Sequence, residues 1–459
     1  MAGPPARRRR RWWFLGLAVL AVVAVAGASA SWVVWRHYHQ GQRMRIPGEV
    51  AGPFAPLPEP PPTRPAREGS PFATSVSANG RYFLGQYGRP LLLKGDSPWA
   101  LMTRLSPEQA RLWFADRQRH GVNAAIVSLL GAVANGAPSD DGATFDGLTP
   151  FVDGDVLNWR EPYWQRVTAY LRLAADHGIT VLLYPIDGWT IDRSFVPRSV
   201  EQCRRYGGMV AQRFGDLPNI VWMSGGDYYV TARRPNRGPD VDHCIDAMVR
   251  GIREAGDGRP FSIQLNAEKS ISTQYPYWAR RVDWNFVYTY YPTYKGVLDA
   301  YRRQVLWSLT SGAAGEFLGT HDWDLHQGWE RRLSSRALTQ IARVRTLFST
   351  LRWWELVPDT GSELFTGGRG TELTTDEPKD VLENDYVTAA RTPDGRLAVV
   401  YLPARRTIAV DPSAMAAGTR ATWVDPTSGA RRPVPMSGRF TPPGPNAAGD
   451  NDWLLVLTG

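Results

Sequence analysis

Cysteine is scarce in this sequence of 459 residues, where only Cys203 and Cys244 are present. Two cysteines without matching histidines form no zinc-binding signature. Both lie near the starts of consecutive predicted helices, and such helices in a barrel are often too far apart for disulfide geometry. We therefore expect two free thiols, although an exported compartment would permit a bond between them.

Several enzyme signatures are also missing from the chain. The G-x-S-x-G elbow of many serine hydrolases is absent, and Met223-Ser224-Gly225 does not fit that pattern. Neither a phosphate-binding loop nor a dinucleotide fingerprint occurs. The pair His321-Asp322 has no third ligand at a useful spacing, so it does not indicate a metal site. We expect no cofactor and no metal.

Positive charge is concentrated at one end of the chain. The net charge is +9, but Arg7 to Arg11 form an unbroken basic run, and the stretch from Trp12 to Trp35 has no charged residue. Such a stretch can span a bilayer. Arginines before it predict a cytoplasmic segment at residues 1–11, a signal anchor at residues 12–35 and an exported remainder. Ala28-Ser29-Ala30 resembles a cleavage site, so a secreted form is the alternative. No basic stripe remains to bind nucleic acid.

The rest of the chain divides into a tether and two domains. Residues 36–77 are rich in proline and are predicted to be an extended linker. Across residues 78–358, short apolar strands alternate with amphipathic helices, which predicts a parallel sheet and, with this many repeats, a (β/α)8 barrel. Seven strand–helix units can be counted instead of eight, so one strand is either unrecognised or missing. Residues 359–459 contain short strands separated by turns, which predicts a small C-terminal β-sandwich.

The run Val221-Trp222-Met223-Ser224-Gly225-Gly226-Asp227 carries the strongest indication of chemistry. An apolar strand ends in two glycines and a carboxylate, and the carboxyl ends of barrel strands are where this fold places its active sites. We interpret Asp227 as a general acid/base. An aspartate that caps the next helix is the structural alternative.

Other acids and aromatic residues end neighbouring predicted strands in the same way. Carboxylates among aromatic rings suit glycoside hydrolysis, in which one acid protonates the leaving oxygen and a second attacks the anomeric carbon or activates water. Glu316 is costly to bury unless it is paired or functional, and we predict it to be the catalytic partner of Asp227. Turn capping and plain packing are the alternatives for the remaining residues. The residues predicted to bind substrate are Asp96, Trp99, Asp187, Trp189, Tyr290, Tyr291 and Trp323.

The chain resembles the apiosidase-like glycoside hydrolases from about Gly80 to its end. The C-terminal part resembles the β-domain that follows the barrel in this family, where it carries a collagen-binding label. The resemblance implies a (β/α)8 barrel that hydrolyses glycosidic bonds, with apiose-containing plant polysaccharide as one substrate, and it implies that Asp227 is the acid/base. The stretches that carry it are Asn79-Gly80-Arg81-Tyr82, Gly95-Asp96-Ser97-Pro98-Trp99, Pro218 to Asp227, Ser311-Gly312-Ala313-Ala314-Gly315, Asn384-Asp385-Tyr386, Trp423 to Thr427 and Asp452-Trp453.

One feature of the chain departs from that family. Its members carry a strand that ends in a glutamate, typically in a Tyr-Glu pair, before the helix that here begins near Tyr301. In this chain Tyr291-Pro292-Thr293-Tyr294 runs almost directly into that helix. The missing strand coincides with the count of seven units. Glu316 lies one strand later than the family's second carboxylate, so its catalytic role is a hypothesis of substitution.

The sequence therefore predicts a membrane-anchored, extracytoplasmic glycoside hydrolase that cleaves O-glycosidic bonds of a polysaccharide or oligosaccharide by carboxylate chemistry. The alternative is a catalytically degenerate barrel that binds glycans after losing its second carboxylate, since a fold alone does not guarantee an activity.

Overall fold

The computed structural model of the protein describes residues 72–195, 198–228, 230, 241–266, 270–288, 297–318, 322–333, 336–371 and 384–459. The predicted cytoplasmic segment, the predicted anchor and most of the predicted linker lie outside these residues. Within the described part of the chain, no helix is long and apolar enough to cross a membrane.

The first domain alternates strands with helices, as the sequence pattern predicts. Its strands are β1 (Ala73–Val76), β2 (Phe83–Gly85), β3 (Pro90–Leu91), β4 (Leu93–Asp96), β5 (Ala124–Ser128), β6 (Phe151–Val152), β7 (Asp155–Trp159), β8 (Thr180–Tyr184), β9 (Ile220–Tyr228), β10 (Phe261–Leu265), β11 (Ser270–Ile271), β12 (Val287–Tyr288) and β13 (Gly315–Leu318). Its helices are α1 (Leu101–Arg104), α2 (Pro107–Arg119), α3 (Glu161–Asp176), α4 (Val200–Phe214), α5 (Val241–Glu254), α6 (Pro276–Ala279), α7 (Val297–Thr310) and α8 (Arg336–Ser349).

A parallel sheet in the order β10-β9-β8-β5-β4-β13 forms the centre of this domain. The predicted α/β class is therefore confirmed, and the described residues form a half-barrel of six strands. Strand β12 pairs with β11 in an antiparallel ribbon outside that sheet. Residues 289–296, where the family's additional strand would be sought, lie outside the described residues.

A small antiparallel sheet of β1, β2 and β3 covers the amino ends of the parallel strands. The backbone N–H of Ala73 donates to the Thr180 hydroxyl at the start of β8, at 3.3 Å, and Phe83 packs into the same buried cluster as Leu182 and Val221. The described residues are thus already buried at Phe72 and Ala73, inside the segment that the sequence predicted to be linker. Because this end is covered, the carboxyl ends of the strands are the accessible end of the half-barrel.

Helices α4 and α5 approach unusually closely, and this corrects the prediction of two free thiols. A methyl group on Gly207 would lie 2.0 Å from the carbonyl oxygen of Met248, and one on Gly251 would lie 1.9 Å from that of Arg204. With no side chains between the helix backbones, Cys203 and Cys244 come within disulfide range, and they are bonded with a Cα–Cα distance of 5.4 Å. Helices at an ordinary spacing would hold the two cysteines apart, and these glycines allow the closer approach.

The second domain is the predicted β-sandwich. One sheet has the strand order β14-β16-β17-β22-β19-β20 and the other has the order β15-β18-β21. Because β14 is part of the sandwich, this domain begins slightly before the predicted boundary at residue 359. Its strands are β14 (Val357–Pro358), β15 (Phe365–Gly367), β16 (Thr388–Arg391), β17 (Leu397–Leu402), β18 (Ile408–Val410), β19 (Arg420–Val424), β20 (Arg431–Val434), β21 (Arg439–Phe440) and β22 (Trp453–Thr458).

The larger sheet of the sandwich is buried on both faces. Along β17, Val400 belongs to the core between the two sheets, whereas Val399 and Tyr401 belong to a second core shared with α7 and α8. This double burial explains why the whole strand is apolar. At the same interface the buried guanidinium of Arg302 donates to Asp452 at 2.8 Å and 2.9 Å. The two domains therefore share a continuous packed interface.

Candidate functional site

The end of β9 is a bulge with an unusual backbone. Gly225, Gly226 and Asp227 have φ angles of 103°, 75° and 51°, in the region that side chains other than glycine rarely adopt. The pairing with β10 shifts here, because Gln264 pairs with Gly225 and the next residue of β10 pairs with Tyr228. Two residues of β9 are thus unpaired, and such bulges re-aim side chains next to active sites. The bulge, not strand alternation, decides where Asp227 points.

Aromatic rings surround the bulge. A methyl group on Gly226 would lie 3.0 Å from the Trp189 ring and 3.2 Å from the Trp99 ring, so only glycine lets the backbone pass this close. Trp99 packs edge-on against Trp189 and against Tyr184, with ring centroids 5.3 Å and 4.9 Å apart. The structure therefore brings together Trp99, Trp189 and Asp227, three of the residues that the sequence predicted for the site.

Asp227 is half-buried at this point. Burial, together with the negative charges of Asp187 and Asp227, raises the pKa of the Tyr184 phenol well above its ordinary value. The phenol thus remains protonated and lies within electrostatic range of both carboxylates. A half-buried acid beside tryptophan rings is an arrangement compatible with general acid–base chemistry.

Asp187 is a structural carboxylate in this protein. It is 1% exposed, and its Oδ2 accepts hydrogen bonds from Ser128 and Asn135 at 2.7 Å and 3.0 Å. Its Oδ1 accepts from the backbone N–H groups of Trp189 and Thr190 at 3.0 Å and 2.8 Å. Both carboxylate oxygens accept hydrogen bonds that hold the loop after β8, so Asp187 orients Trp189. The buried Asp187 carboxylate is therefore not exposed to contact a sugar.

Asp96 faces away from the interior of the half-barrel. Its Oδ2 accepts a 2.6 Å hydrogen bond from Arg117 of α2, and both side chains are buried. Its Oδ1 accepts from the backbone N–H of Ser97 at 2.7 Å. The turn-capping alternative therefore describes Asp96 better than substrate binding does. The ion pair between Asp96 and Arg117 links β4 to α2.

Glu316 does not face Asp227. Its neighbour Phe317 packs into the interior, where a methyl group on Gly95 would lie 1.9 Å from the Phe317 ring, and alternation along β13 turns Glu316 to the opposite face. On that outer face, Glu316 pairs in register with Lys94. Burial raises the pKa of Glu316 and lowers the pKa of Lys94, while their opposite charges act against both shifts. Glu316 therefore belongs to a buried charge cluster between the sheet and its helices.

The inner face of the sheet is the one that approaches the bulge. Trp99 and Phe317 belong to the buried cluster on that face, and Trp99 also lies against Gly226. Glu316 pairs with Lys94, two residues before the carboxyl end of β4, and both residues lie toward α2 and α8 on the outer face. The two carboxyl groups of a glycosidase face one substrate bond from about 5–9.5 Å apart. The structure therefore does not bring Glu316 and Asp227 together.

The remaining predicted substrate-binding residues are only partly accounted for. Trp323 is 36% exposed on the loop after β13. The adjacent Asp324 lies against Gly136 of the loop after β5, where a methyl group on the glycine would be 2.6 Å from the aspartate Cβ. Trp323 thus remains a predicted sugar contact at the rim. Tyr290 and Tyr291 lie outside the described residues.

Two residues of the site were missed in the sequence. Tyr184 ends β8 and donates a 2.7 Å hydrogen bond from its hydroxyl to Oε1 of Gln264. Gln264 is 1% exposed within the buried and mostly apolar Phe261–Leu265 strand. A glutamine on a buried strand was a usable signal, because a polar side chain there needs a partner or a function. Among the described residues, no group of three His, Cys, Asp or Glu side chains could hold a metal ion.

We expect Gly225→Ala to disrupt the bulge. The new methyl group would lie 1.9 Å from the carbonyl oxygen of Gln264, at a φ of 103°. Strain and overpacking together predict a loss of about 3 kcal/mol in the free energy of unfolding, measured by urea denaturation. Gly256→Ala is the control, because Gly256 has a φ of 86° but no atom near its added methyl group, and about 1–2 kcal/mol is expected there. Equal losses in the two variants would show that backbone contact does not constrain the bulge.

Comparison with known proteins agrees with this architecture. Residues 77–301 match the family model described as apiosidase-like, catalytic domain. A glycoside hydrolase family 5 structure from Bacteroides vulgatus is similar with a TM-score of 0.69 and 20% identity, over 84% of this chain and 92% of that chain. A second structure, described as a glycoside hydrolase, has a TM-score of 0.69 and 20% identity, over 84% of this chain and 97% of that chain. No curated protein matches the chain.

These comparisons confirm the family resemblance that the sequence indicated. The structural likenesses establish the fold, and the family match covers the region that contains Trp99, Trp189, Asp227 and Gln264. Together they support the predicted glycosyl hydrolase activity. The matched segment stops before the β-sandwich, so the collagen-binding label stays a feature of the resemblance alone.

Proposed function

We propose that this chain, whose residues 77–301 form an apiosidase-like catalytic domain, is an extracytoplasmic glycoside hydrolase with Asp227 as its general acid/base. The observation that carries the proposal is the β9 bulge, which places a half-buried carboxylate beside Trp99 and Trp189 at the accessible end of the half-barrel. Indole faces suit the apolar faces of sugar rings, and a carboxylate beside them is placed to protonate a glycosidic oxygen.

The substrate class that follows from this geometry is a carbohydrate with an O-glycosidic bond. Apiose-containing plant polysaccharide is the first substrate to test, because the family resemblance implies it, and other furanosides of plant debris or of the cell envelope come next. Trp323, exposed on the loop after β13, would contact further sugar units of such a chain.

Glycan binding without hydrolysis is the second candidate function, and one observation favours it. None of the other three acids predicted from the sequence supplies a second carboxylate: Asp96 is paired with Arg117, Asp187 holds its own loop, and Glu316 lies on the outer face of the sheet. Both the retaining and the inverting mechanism of glycoside hydrolysis need a second carboxylate near the first. A barrel that kept its aromatic surface and lost this group would still bind sugars.

One experiment separates the two candidates. The purified protein is incubated with apiose-containing pectic polysaccharide and with a panel of other plant and envelope glycans. Product release is followed by reducing-sugar assay and mass spectrometry, and binding is followed by tryptophan fluorescence. Release that is lost in Asp227→Asn supports the hydrolase. Binding that Trp99→Ala or Trp189→Ala abolishes, with no product from any glycan, supports the binding protein. Neither release nor binding across the panel would contradict both.

We also propose that the protein acts outside the cytoplasm, held by its N-terminal apolar segment. The Cys203–Cys244 disulfide supports export, because such bonds persist in oxidising compartments. The uncharged stretch from Trp12 to Trp35 supports the anchor. Fractionation of cells tests this: full-length protein should remain in membranes after an alkaline wash, whereas a soluble, shortened form would identify a cleaved signal peptide.

A further inference from the structure

Gln264 is a buried amide with an unused donor. The residue is 1% exposed, and its Nε2 group has no hydrogen-bond partner among the described residues. A buried polar group without a partner is rare enough in folded proteins to require an explanation. On a strand whose other residues are buried and mostly apolar, its retention points to a task at the adjacent site.

The orientation of the amide is set by Tyr184. The Tyr184 hydroxyl donates to Oε1 of Gln264 at 2.7 Å, and the same hydroxyl lies 3.9 Å from the sulfur of Met223. Tyr184 therefore reaches across β9 to β10 on the inner face of the sheet. With Oε1 engaged by the phenol, Nε2 is the end of the amide that remains available to donate.

The amide lies directly below the bulge that carries Asp227. Gln264 pairs with Gly225, and the following pair of the two strands is Leu265 with Tyr228. Gly226 and Asp227 therefore project from the sheet just beyond Gln264. Tyr184 connects the two residues, since it is hydrogen-bonded to Gln264 and is electrostatically coupled to Asp227.

We propose that Gln264 is a positioning residue for Asp227, with its Nε2 end directed at the carboxylate while Tyr184 holds the other end of the amide. An N–H dipole directed at a carboxylate favours the ionised form and restricts its orientation. Hydrogen bonds of catalytic groups are often long without substrate and tighten in the complex, so the contact becomes a full hydrogen bond when a sugar fills the site. This inference rests on the proposed role of Asp227.

The first test needs no substrate. Because Gly226 touches Trp99 and Trp189, protonation of Asp227 should change tryptophan fluorescence, and the inflection that Asp227→Asn abolishes identifies that carboxyl group. Tyr184 interacts electrostatically with both Asp227 and Asp187. Tyr184 and Asp187 are retained in every variant, so their own titration is common to all the curves. In Gln264→Leu, which removes the donor, the Asp227 inflection should move to higher pH by about one unit, a tenfold change in proton affinity.

A second variant and a control make the result specific. Gln264→Glu keeps the shape and still accepts from Tyr184, but it replaces the donor by a second acid, so its inflection should move further than that of Gln264→Leu. Ser262→Ala is the control, because Ser262 lies two residues earlier on β10 and already donates to the backbone oxygen of Trp284 at 2.8 Å. Its inflection should not move.

The outcomes of the titration decide the proposal independently of catalysis. An inflection that stays in place in both Gln264 variants overturns it, and so does the lack of any inflection that depends on Asp227. Hydrolysis supplies a separate comparison: on a confirmed substrate, Gln264→Leu should lower kcat at least tenfold with little change in KM. If the wild-type chain releases no product, the proposed function fails, while the titration still decides whether Gln264 acts on Asp227.

Discussion

Asp227→Asn is expected to lower kcat on a natural glycan by about 10²–10⁴-fold, the usual contribution of a positioned general acid or base. The amide of asparagine has nearly the same shape as the carboxyl group but cannot give a proton to the glycosidic oxygen. Asn also tolerates the φ of 51° observed at this position. The fold should therefore survive the change, and a thermal unfolding midpoint close to that of the wild type would confirm this.

The nature of the leaving group provides the sharper readout for this variant. An activated aryl glycoside leaves as a stable phenolate and needs little protonation, so Asp227→Asn should lose much less activity on it than on the natural glycan. Asp187→Asn is the comparison, since its carboxylate holds a loop through four hydrogen bonds. That change should lower thermal stability and affect both substrates alike. Equal turnover of the natural glycan by Asp227→Asn and the wild type would exclude Asp227 as the acid.

Glu316→Leu is expected to destabilise the protein by about 1–3 kcal/mol, because the change leaves the buried Lys94 without the opposite charge that favours its ionised form. Lys94 is 0% exposed, and its Nζ donates to the backbone oxygen of His120 at 3.3 Å. Arg345 of α8 also acts on this cluster, and burial lowers its pKa. Replacing both residues, in Lys94→Met/Glu316→Leu, should recover much of the loss, since replacing two buried polar groups by apolar groups of similar shape can be nearly neutral. Urea denaturation measures each value.

The pH dependence of the unfolding free energy of Lys94→Met tests the electrostatic interaction between Lys94 and Glu316. In Lys94→Met the Glu316 carboxyl stays buried without its main counter-charge, and burial already raises its pKa in the wild type. A folded-state pKa above the unfolded value contributes stability at low pH that is lost as the pH rises through the folded value. The wild type gains stability above about pH 7 from Lys94, because burial lowers its folded-state pKa to about 7 while the unfolded chain keeps the proton. The variant lacks this gain, so its unfolding free energy should fall, relative to the wild type, as the pH rises from about 7 to 9.

Activity distinguishes a structural Glu316 from a catalytic one. Glu316→Gln keeps the side-chain shape and should retain kcat within about twofold, because the residue faces the outer side of the sheet. A variant that folds normally but loses turnover on a confirmed substrate would contradict this placement. The comparison with Asp227→Asn on the same substrate separates the two carboxylates directly.

Much of the fold could be predicted because it depends on local patterns. Helix starts in the structure show how local these patterns are: Gln109 N–H donates to the Ser106 hydroxyl at 3.2 Å, and α2 begins at the proline that follows Ser106. The alternation of strands and helices likewise predicted the parallel sheet, and the position of Asp227 at the end of β9 followed from an apolar run that ends in glycine. Each inference used residues only a few positions apart.

The errors concern residues whose environment comes from distant parts of the chain. Glu316 looked catalytic because it lies on an apolar strand near a strand end, but the face it occupies depends on Phe317 packing inward and Lys94 lying beside it. The disulfide was missed because its geometry depends on Gly207 and Gly251, which bring two helices together. In both cases the sequence identifies the chemical group, a carboxyl or a thiol, whereas the tertiary packing determines which groups it contacts.

By itself, the sequence determined the fold class, the two-domain order and the position of Asp227, because hydrophobic periodicity, capping residues and glycines act over short distances along the chain. Only the tertiary structure decided which carboxylates meet. The bulge at Gly225 and Gly226 re-aims Asp227, and the inward packing of Phe317 decides the face of Glu316. Both arise from contacts between residues far apart in the sequence. Those contacts keep Asp227 beside Trp99 and Trp189 and place Glu316 on the opposite face of the sheet.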